Sequence, residues 1–247
     1  MQREKEVWRI GLSGFSNKDW KGIFYPEKLP QKSWFSFYCE HFNCVEINSS
    51  FYRVPTLKTL QNWKGQSGPD FRFSLKAPRA ITHFQQFRES GPDAAAFYAL
   101  LAEGIGEKLG AVLFQCPPKF SFTEDRLELL LKTLDPAFPN VVEFRHKSWW
   151  TAEVVDALST HKTVFCGVDY PGDIPNEVMV QPGLFRNYYR FHGRPVLFKS
   201  LYTEEEIRVV YEQLQASEIP EKWVAFNNTW GHSALQNAAM LKEMLNR

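Results

Sequence analysis

A carboxylate, a guanidinium and an imidazole fall within four residues in the run Val141-Val142-Glu143-Phe144-Arg145-His146-Lys147-Ser148-Trp149-Trp150. Glu143 has the chemistry of a general base or a metal ligand. Arg145 has that of a clamp on a carboxylate or phosphate. A second group is Glu46-Ile47-Asn48-Ser49-Ser50-Phe51-Tyr52, where Glu46 can take a proton and Asn48 can hold a substrate hydroxyl. A third is Arg190-Phe191-His192-Gly193. It pairs a guanidinium with an acid/base candidate, His192, and a glycine that admits close backbone approach. Asn227 and Asn228 open a loop that leads into a helix, whose first N–H groups can hold an anion. Lys76 and His83 add a cation and a base, and Gln115 and Asp169 each close an apolar run. On these residue types Glu46, Glu143 and His192 are the catalytic candidates. The substrate-binding candidates are Asn48, Lys76, His83, Gln115 and Arg145, with Asp169, Arg190, Asn227 and Asn228. The bland alternative is a self-satisfied network of ion pairs, with His192 as a hydrogen-bonded structural group.

Residues this scattered need elements that converge. Eight short apolar runs read as strands: Trp8–Ser13, Cys44–Asn48, Phe71–Lys76, Ala111–Gln115, Val141–Arg145, Thr163–Asp169, Tyr188–His192 and Trp223–Asn227. Helical patterns fill most gaps: Trp34–His41, Leu57–Trp63, Asp93–Leu109, Thr123–Leu134, Ala152–His161, Thr203–Ser217 and Ser233–Asn246. Thr123 and Thr203, each followed by acidic residues, read as helix caps. Alternation of strand and helix argues for βα units on a parallel sheet. Eight units in 247 residues fit a single-domain (β/α)8 barrel of the TIM type, whose sites lie at the C-terminal ends of the strands. An open doubly wound sheet is the alternative.

Side-chain parity then sorts the residues, because neighbours along a strand face opposite ways. Val142 and Phe144 oppose Glu143 and Arg145; Val45 and Ile47 oppose Glu46 and Asn48; Tyr189 and Phe191 oppose Arg190 and His192. With apolar faces against the helices, the expected interior holds Arg9, Arg72, Lys76, Arg145 and Arg190 against Glu46, Glu143 and Asp169. In the sixth strand, Phe165, Gly167 and Asp169 are placed inward. Cations outnumber anions in this set, which points to an anionic ligand at the mouth.

Lys plus Arg (29) nearly balance Asp plus Glu (28), which excludes a polyanion binder working through overall charge. Aromatic residues make up 15% of the chain. Trp20, Phe24, Tyr25, Phe51, Tyr52, Trp149, Trp150 and Trp230 near strand ends offer stacking surfaces, or else pack as anchors. The four cysteines form no C-x-x-C pair, which reads as reduced thiols. No cofactor is predicted; the one the residues would admit is a divalent metal on Glu46, Glu143, Asp169 and His192. The charged start Met1-Gln2-Arg3-Glu4-Lys5-Glu6 lacks a signal pattern, and no apolar run is long enough for a membrane span. The expected compartment is therefore the cytoplasm, with no membrane partner.

The ordered motifs resemble those of the YecE-like family of bacterial and archaeal proteins of unknown function. They include Asp19-Trp20-Lys21-Gly22, Phe24-Tyr25-Pro26, Val45-Glu46-Ile47-Asn48, Phe71-Arg72-Phe73, Thr82-His83 and Phe114-Gln115. Val142-Glu143-Phe144-Arg145-His146, Arg190-Phe191-His192-Gly193-Arg194 and Phe226-Asn227-Asn228 complete the match. The resemblance implies a TIM-barrel-like fold. It also brings a proposed similarity to endonuclease IV, and with it a nucleic-acid partner, although that enzyme's zinc ligand set does not map onto this chain. Leu12, Phe15, Asn17, His232 and the stretch Lys199-Ser200-Leu201 depart from the family pattern near the expected mouth. The expected activity is metal-independent catalysis or binding of a small phosphate- or carboxylate-bearing ligand. The alternatives are a DNA-binding or phosphodiesterase role, or a non-catalytic interaction protein.

Overall fold

The structure, a computed structural model, describes residues 6–246. Residues 1–5, most of the charged start from which the lack of a signal segment is read, lie outside the described residues. Among the described residues nine strands follow in chain order: β1 (Val7–Leu12), β2 (Cys44–Ile47), β3 (Arg72–Lys76), β4 (Leu109–Gln115), β5 (Asn140–Glu143), β6 (Val164–Phe165), β7 (Gly167–Asp169), β8 (Arg186–Phe191) and β9 (Glu221–Phe226). Seven α-helices alternate with them among the described residues: α1 (Trp34–His41), α2 (Leu57–Gln66), α3 (Gly91–Gly104), α4 (Glu124–Thr133), α5 (Ala152–Thr160), α6 (Glu204–Ala216) and α7 (Ser233–Leu245). None of the described helices is long and apolar enough to cross a membrane.

The strands form two sheets, in the orders β1-β9-β8-β7 and β2-β3-β4-β5-β6, with every pair parallel. The ladder is therefore not one closed eight-stranded ring. The expected sixth strand is broken at Cys166: β6 pairs with β5 and β7 with β8. On the other flank, side chains bridge β1 and β2 where a ladder would close them. Asn43 donates to the Trp8 carbonyl at 2.7 Å and accepts from the Ile10 amide at 3.1 Å. The Tyr38 hydroxyl accepts from the Leu12 amide and donates to the Cys44 carbonyl, both at 2.9 Å.

Local chemistry explains most element ends. Thr123 caps α4 by accepting from the Arg126 amide, and Thr203 with Glu206 forms a complete capping box on α6. The helix expected over Asp93–Leu109 stops early. It ends at Gly104, Gly106 follows in the left-handed region at φ +58°, and Leu109 already opens β4.

Parity holds for β2, β5, β8 and β9. The outward residues Val45, Ile47, Val142, Tyr189, Phe191, Val224 and Phe226 join the large core beneath the helices. It is reversed in the broken strand. Val164, Cys166 and Val168 face inward with Trp223 and Tyr188, while Phe165 joins the outer core. This inner cluster fills the space between the sheets with apolar side chains, so the interior charges gather above and below it.

Candidate active site

Arg190 lies at the centre of the upper cluster, fully buried near the end of β8. Its Nε and Nη2 grip both oxygens of Glu46 at 2.9 and 2.5 Å, and its Nη1 donates to Glu143. Glu46 also accepts from Ser13 at 2.5 Å and from Tyr188 at 2.9 Å. Burial alone would raise the Glu46 carboxyl, but Arg190 outweighs it and holds the group below the usual carboxylate range. The same contest at Glu143 ends further down: burial is overcome by Arg145 and Arg190 together. Both carboxylates are thus ionised acceptors with their cations in place.

His192 extends the network towards the mouth. Its Nε2 lies 3.2 Å from Glu143, and its Nδ1 lies 2.9 Å from the Asn227 amide nitrogen. The Asn227 carbonyl oxygen in turn accepts from Asn48 at 3.2 Å. One directed chain satisfies all three contacts: Asn48 donates to Asn227, Asn227 to His192 Nδ1, and His192 Nε2–H to Glu143. That assignment requires a neutral ring. Burial, with the charges of Arg145 and Arg190, outweighs the pull of Glu143 and lowers the imidazole to about 3. His192 is therefore an oriented neutral donor. The side-chain oxygen of Asn48, Oδ1, is buried with no partner among the described residues.

Arg145 stands just past the end of β5. Its Nε donates to Glu143, and its guanidinium stacks 4.0 Å above the ring of Tyr170. Its Nη2 reaches only His192 Nε2, at 3.5 Å, which is a donor in the neutral tautomer. Among the described residues, the terminal nitrogens of Arg145 have no oxygen acceptor. Lys76, at the end of β3, donates to Gln115 Oε1 at 2.7 Å and lies 4.1 Å over the ring of Phe51. Gln115 is held in turn by donating to the Cys116 carbonyl at 2.6 Å. Burial, followed by the Arg190 and Arg145 charges, lowers the Lys76 ammonium to about 7. His83 is carried on a π-type turn over Ala80–Phe84 and contacts Thr82 at 2.8 Å. Burial and the neighbouring cations lower its imidazole to about 4.

The structure thus brings Glu46, Asn48, Lys76, Gln115, Glu143, Arg145, Arg190, His192 and Asn227 into one network, with His83 at its rim. It places two other candidates elsewhere. Asp169 is on the outward face of β7 and pairs with Arg194 at 3.2 Å. Asn228 points back, donating to the Ser200 carbonyl and to Asn237 of α7. The four side chains named for a metal therefore do not converge, because the β7 parity turns Asp169 away. Among the described residues, no group of three or more His, Cys, Asp or Glu could hold a metal ion.

Arg9 and Arg72, expected inside with the rest, sit at the opposite end of the strands. Arg9 pairs with Glu221, which also holds Arg186 at 2.8 Å, and Arg72 donates to the carbonyls of Pro69 and Phe71. Gly193 makes a tight turn at φ +89°, packing onto the backbone of Val196 and Phe198. Of the eight aromatic residues offered for stacking, Tyr52 (71%) and Trp230 (65%) are exposed. The others pack: Trp149, for example, stacks on Phe144 with centroids 4.3 Å apart. Tyr188, Ser74 and Tyr170 also belong to the network. Parity was the available signal for the first two, since Tyr188 shares the face of Arg190 and Ser74 that of Lys76; it misplaces Tyr170, which shares the face of Val168.

A family model described as "Protein of unknown function DUF72" matches residues 9–247. The UPF0759 protein YunF of Bacillus subtilis is 25% identical over 268 residues, covering 96% of this chain and 94% of its own length. The UPF0759 protein YecE of Escherichia coli is 31% identical over 144 residues, or 57% of this chain and 49% of its own. The crystal structure of a DUF72 family protein from Thermotoga maritima superposes with a TM-score of 0.87 at 30% identity, covering 98% and 100% of the two chains. One from Enterococcus faecalis, at 24% identity, gives 0.83 over 98% and 96% and shows the shared fold. The chain belongs to the DUF72 family, which agrees with the motif resemblance.

Proposed function

We propose that this DUF72 chain binds a small carboxylate- or phosphate-bearing molecule at the C-terminal ends of its strands, with Arg145 as the anchor. The observation that carries the proposal is the open fork of Arg145. A guanidinium fixed by one carboxylate and one aromatic face, with its terminal donors free of oxygen acceptors, is preorganised for an anion. Charge balance supports it. Arg190 and Arg145 are matched by Glu46 and Glu143, and His192 is neutral. A bound anion would be balanced by a proton on Lys76, whose lowered ammonium titrates near neutrality. The unpartnered oxygen of Asn48 would take a donor from the same ligand. The proposal includes a single barrel-like domain, with Asn43 and Tyr38 bridging the β1–β2 seam.

Isothermal titration with a panel of small carboxylates and phosphates tests it. A charged hydrogen bond contributes about 1.5–3 kcal/mol, so Arg145→Ala should weaken binding about 10–100-fold. Glu143 keeps Arg190 and His192 in that variant, so the fold should survive. Unchanged affinity in a folded Arg145→Ala protein refutes the assignment.

A second reading is favoured by the rim itself. Tyr52, Phe84 and Trp230 are exposed, with Arg79 against the first two rings and Lys199 4.4 Å over the third. Aromatic faces beside cations suit unstacked bases, which makes single-stranded nucleic acid the alternative ligand class.

A further inference from the structure

We propose that Lys76 is a nucleophilic amine that condenses with the carbonyl of a small oxo acid whose carboxylate rests on Arg145. This rests on the anion site proposed above and names its substrate class. Amine nucleophiles need three things from a protein: a neutral nitrogen, a fixed direction and an open approach. Lys76 makes no ion pair among the described residues, and burial with the charges of Arg190 and Arg145 outweighs the opposing pull of Glu143 and Glu46. Such surroundings favour the free amine over the ammonium. Gln115 supplies the direction. Its Nε2 is tied to the Cys116 carbonyl, so its Oε1 is fixed as the acceptor for one Lys76 N–H at 2.7 Å. The Phe51 ring, 4.1 Å away, supports the nitrogen on a second side. Lys76 is largely but not fully buried, and in the proposed reaction its remaining direction is the approach from the mouth.

In the condensation, the Nζ lone pair attacks the carbonyl carbon and a C–N bond forms. The carbonyl oxygen leaves as water, taking with it both N–H protons of the neutral amine, and a C=N bond remains. One further proton from solvent makes the iminium. Charge favours that product. Beside a bound carboxylate, the network lacks one positive charge when Lys76 is a neutral amine. An iminium puts that charge on the same nitrogen.

The test is reductive trapping on the full chain. Pyruvate with cyanoborohydride should give one covalent adduct by intact mass, mapped to Lys76. Trapping should rise with pH through about 7, where the amine frees its lone pair. An excess of propionate, which has the carboxylate but no carbonyl, should suppress it at least several-fold. Lys76→Arg should abolish it, and peptide mapping of the unaltered protein answers the question even if that variant fails to fold. Adducts spread over surface lysines, or none at Lys76, overturn the inference. If pyruvate binds by calorimetry in an Arg145-dependent way yet leaves no adduct, the amine chemistry fails and the anion site stands. If no carboxylate binds, the amine chemistry fails; if no phosphate binds either, the anion site fails with it.

Discussion

Replacing Arg190 with methionine removes the one cation among the described residues that forms an ion pair with Glu46. In the native network Glu46 takes two hydrogen bonds from that guanidinium, and its remaining partners, Ser13 and Tyr188, carry no charge. Glu143 loses less, since Arg145 and His192 stay beside it. The variant therefore contains one orphaned buried carboxylate, and breaking a buried pair this way costs about 3–5 kcal/mol. Against a typical domain stability of about 5–15 kcal/mol, the protein should still fold, but marginally. The loss has a sign in pH. With Arg190 present, the Glu46 carboxyl titrates below its unfolded value, so its contribution is present above about pH 4.3 and lost as pH falls through the lowered folded value. Without Arg190, burial raises the carboxyl above its unfolded value. The variant then loses stability as pH rises through that raised value. Urea unfolding followed by tryptophan fluorescence at pH 5 and pH 8 should show a deficit that widens with pH. Adding Glu46→Gln to Arg190→Met should recover part of it at pH 8. A loss under about 1 kcal/mol, or one independent of pH, refutes the view that Arg190 is paired chiefly to Glu46.

His192 titrates at about 3 in the fold and near 6.5 when unfolded, so the unfolded chain binds the extra proton across that window. Stability should therefore fall by about 2–3 kcal/mol between pH 6.5 and 4.5, and His192→Gln should flatten that limb in urea titrations. A limb of equal slope in the variant would mean that the ring is charged in the fold. For the nucleic-acid alternative, Tyr52→Ala with Trp230→Ala should leave the unfolding midpoint in place, since both side chains are exposed. Fluorescence anisotropy should show their loss weakening any binding to a short single strand by about 1–3 kcal/mol per lost stack, and raised salt weakening it further. Binding that ignores both changes counts against that ligand class.

How much of this was legible in the sequence depends on what parity can and cannot carry. It worked on β2, β5 and β8 because one face of each was apolar and the other charged. Alternation there marks in from out without further information. It failed at β6 and β7 because Val164, Cys166 and Val168 are apolar and so is Phe165. A strand covered on both faces gives no alternation to read, and Asp169 was enough to tip the assignment the wrong way. The break at Cys166 was invisible for the same reason. The motifs also could not show that Asn228, next to Asn227, turns its amide to α7. Asn228 is the second residue past β9, one step beyond Asn227, and so turns the opposite way.

Parity also says nothing about height, and height decides which interior charges can meet a ligand. All strands here are parallel, so the distance from a strand's first residue is a depth. Arg186 and Glu221 open β8 and β9, Arg72 opens β3, and Arg9 is third in β1. Their guanidiniums end on Glu221 and on the carbonyls of Asp70, Pro69, Phe71 and Gly110, so the lower cluster is closed on itself. Glu143 and Lys76 close β5 and β3, Arg190 is the penultimate residue of β8, and Arg145 lies past its strand. Here the pairing runs out before the donors do. Arg190 is spent on two carboxylates, Arg145 on one, and Lys76 on a neutral amide. Burying charge costs free energy unless every group is paired. A network paired at one end of the strands and open at the other is what the proposed anion would complete. The residues to alter first are therefore the two with free donors, Arg145 and Lys76, rather than the more deeply buried Arg190.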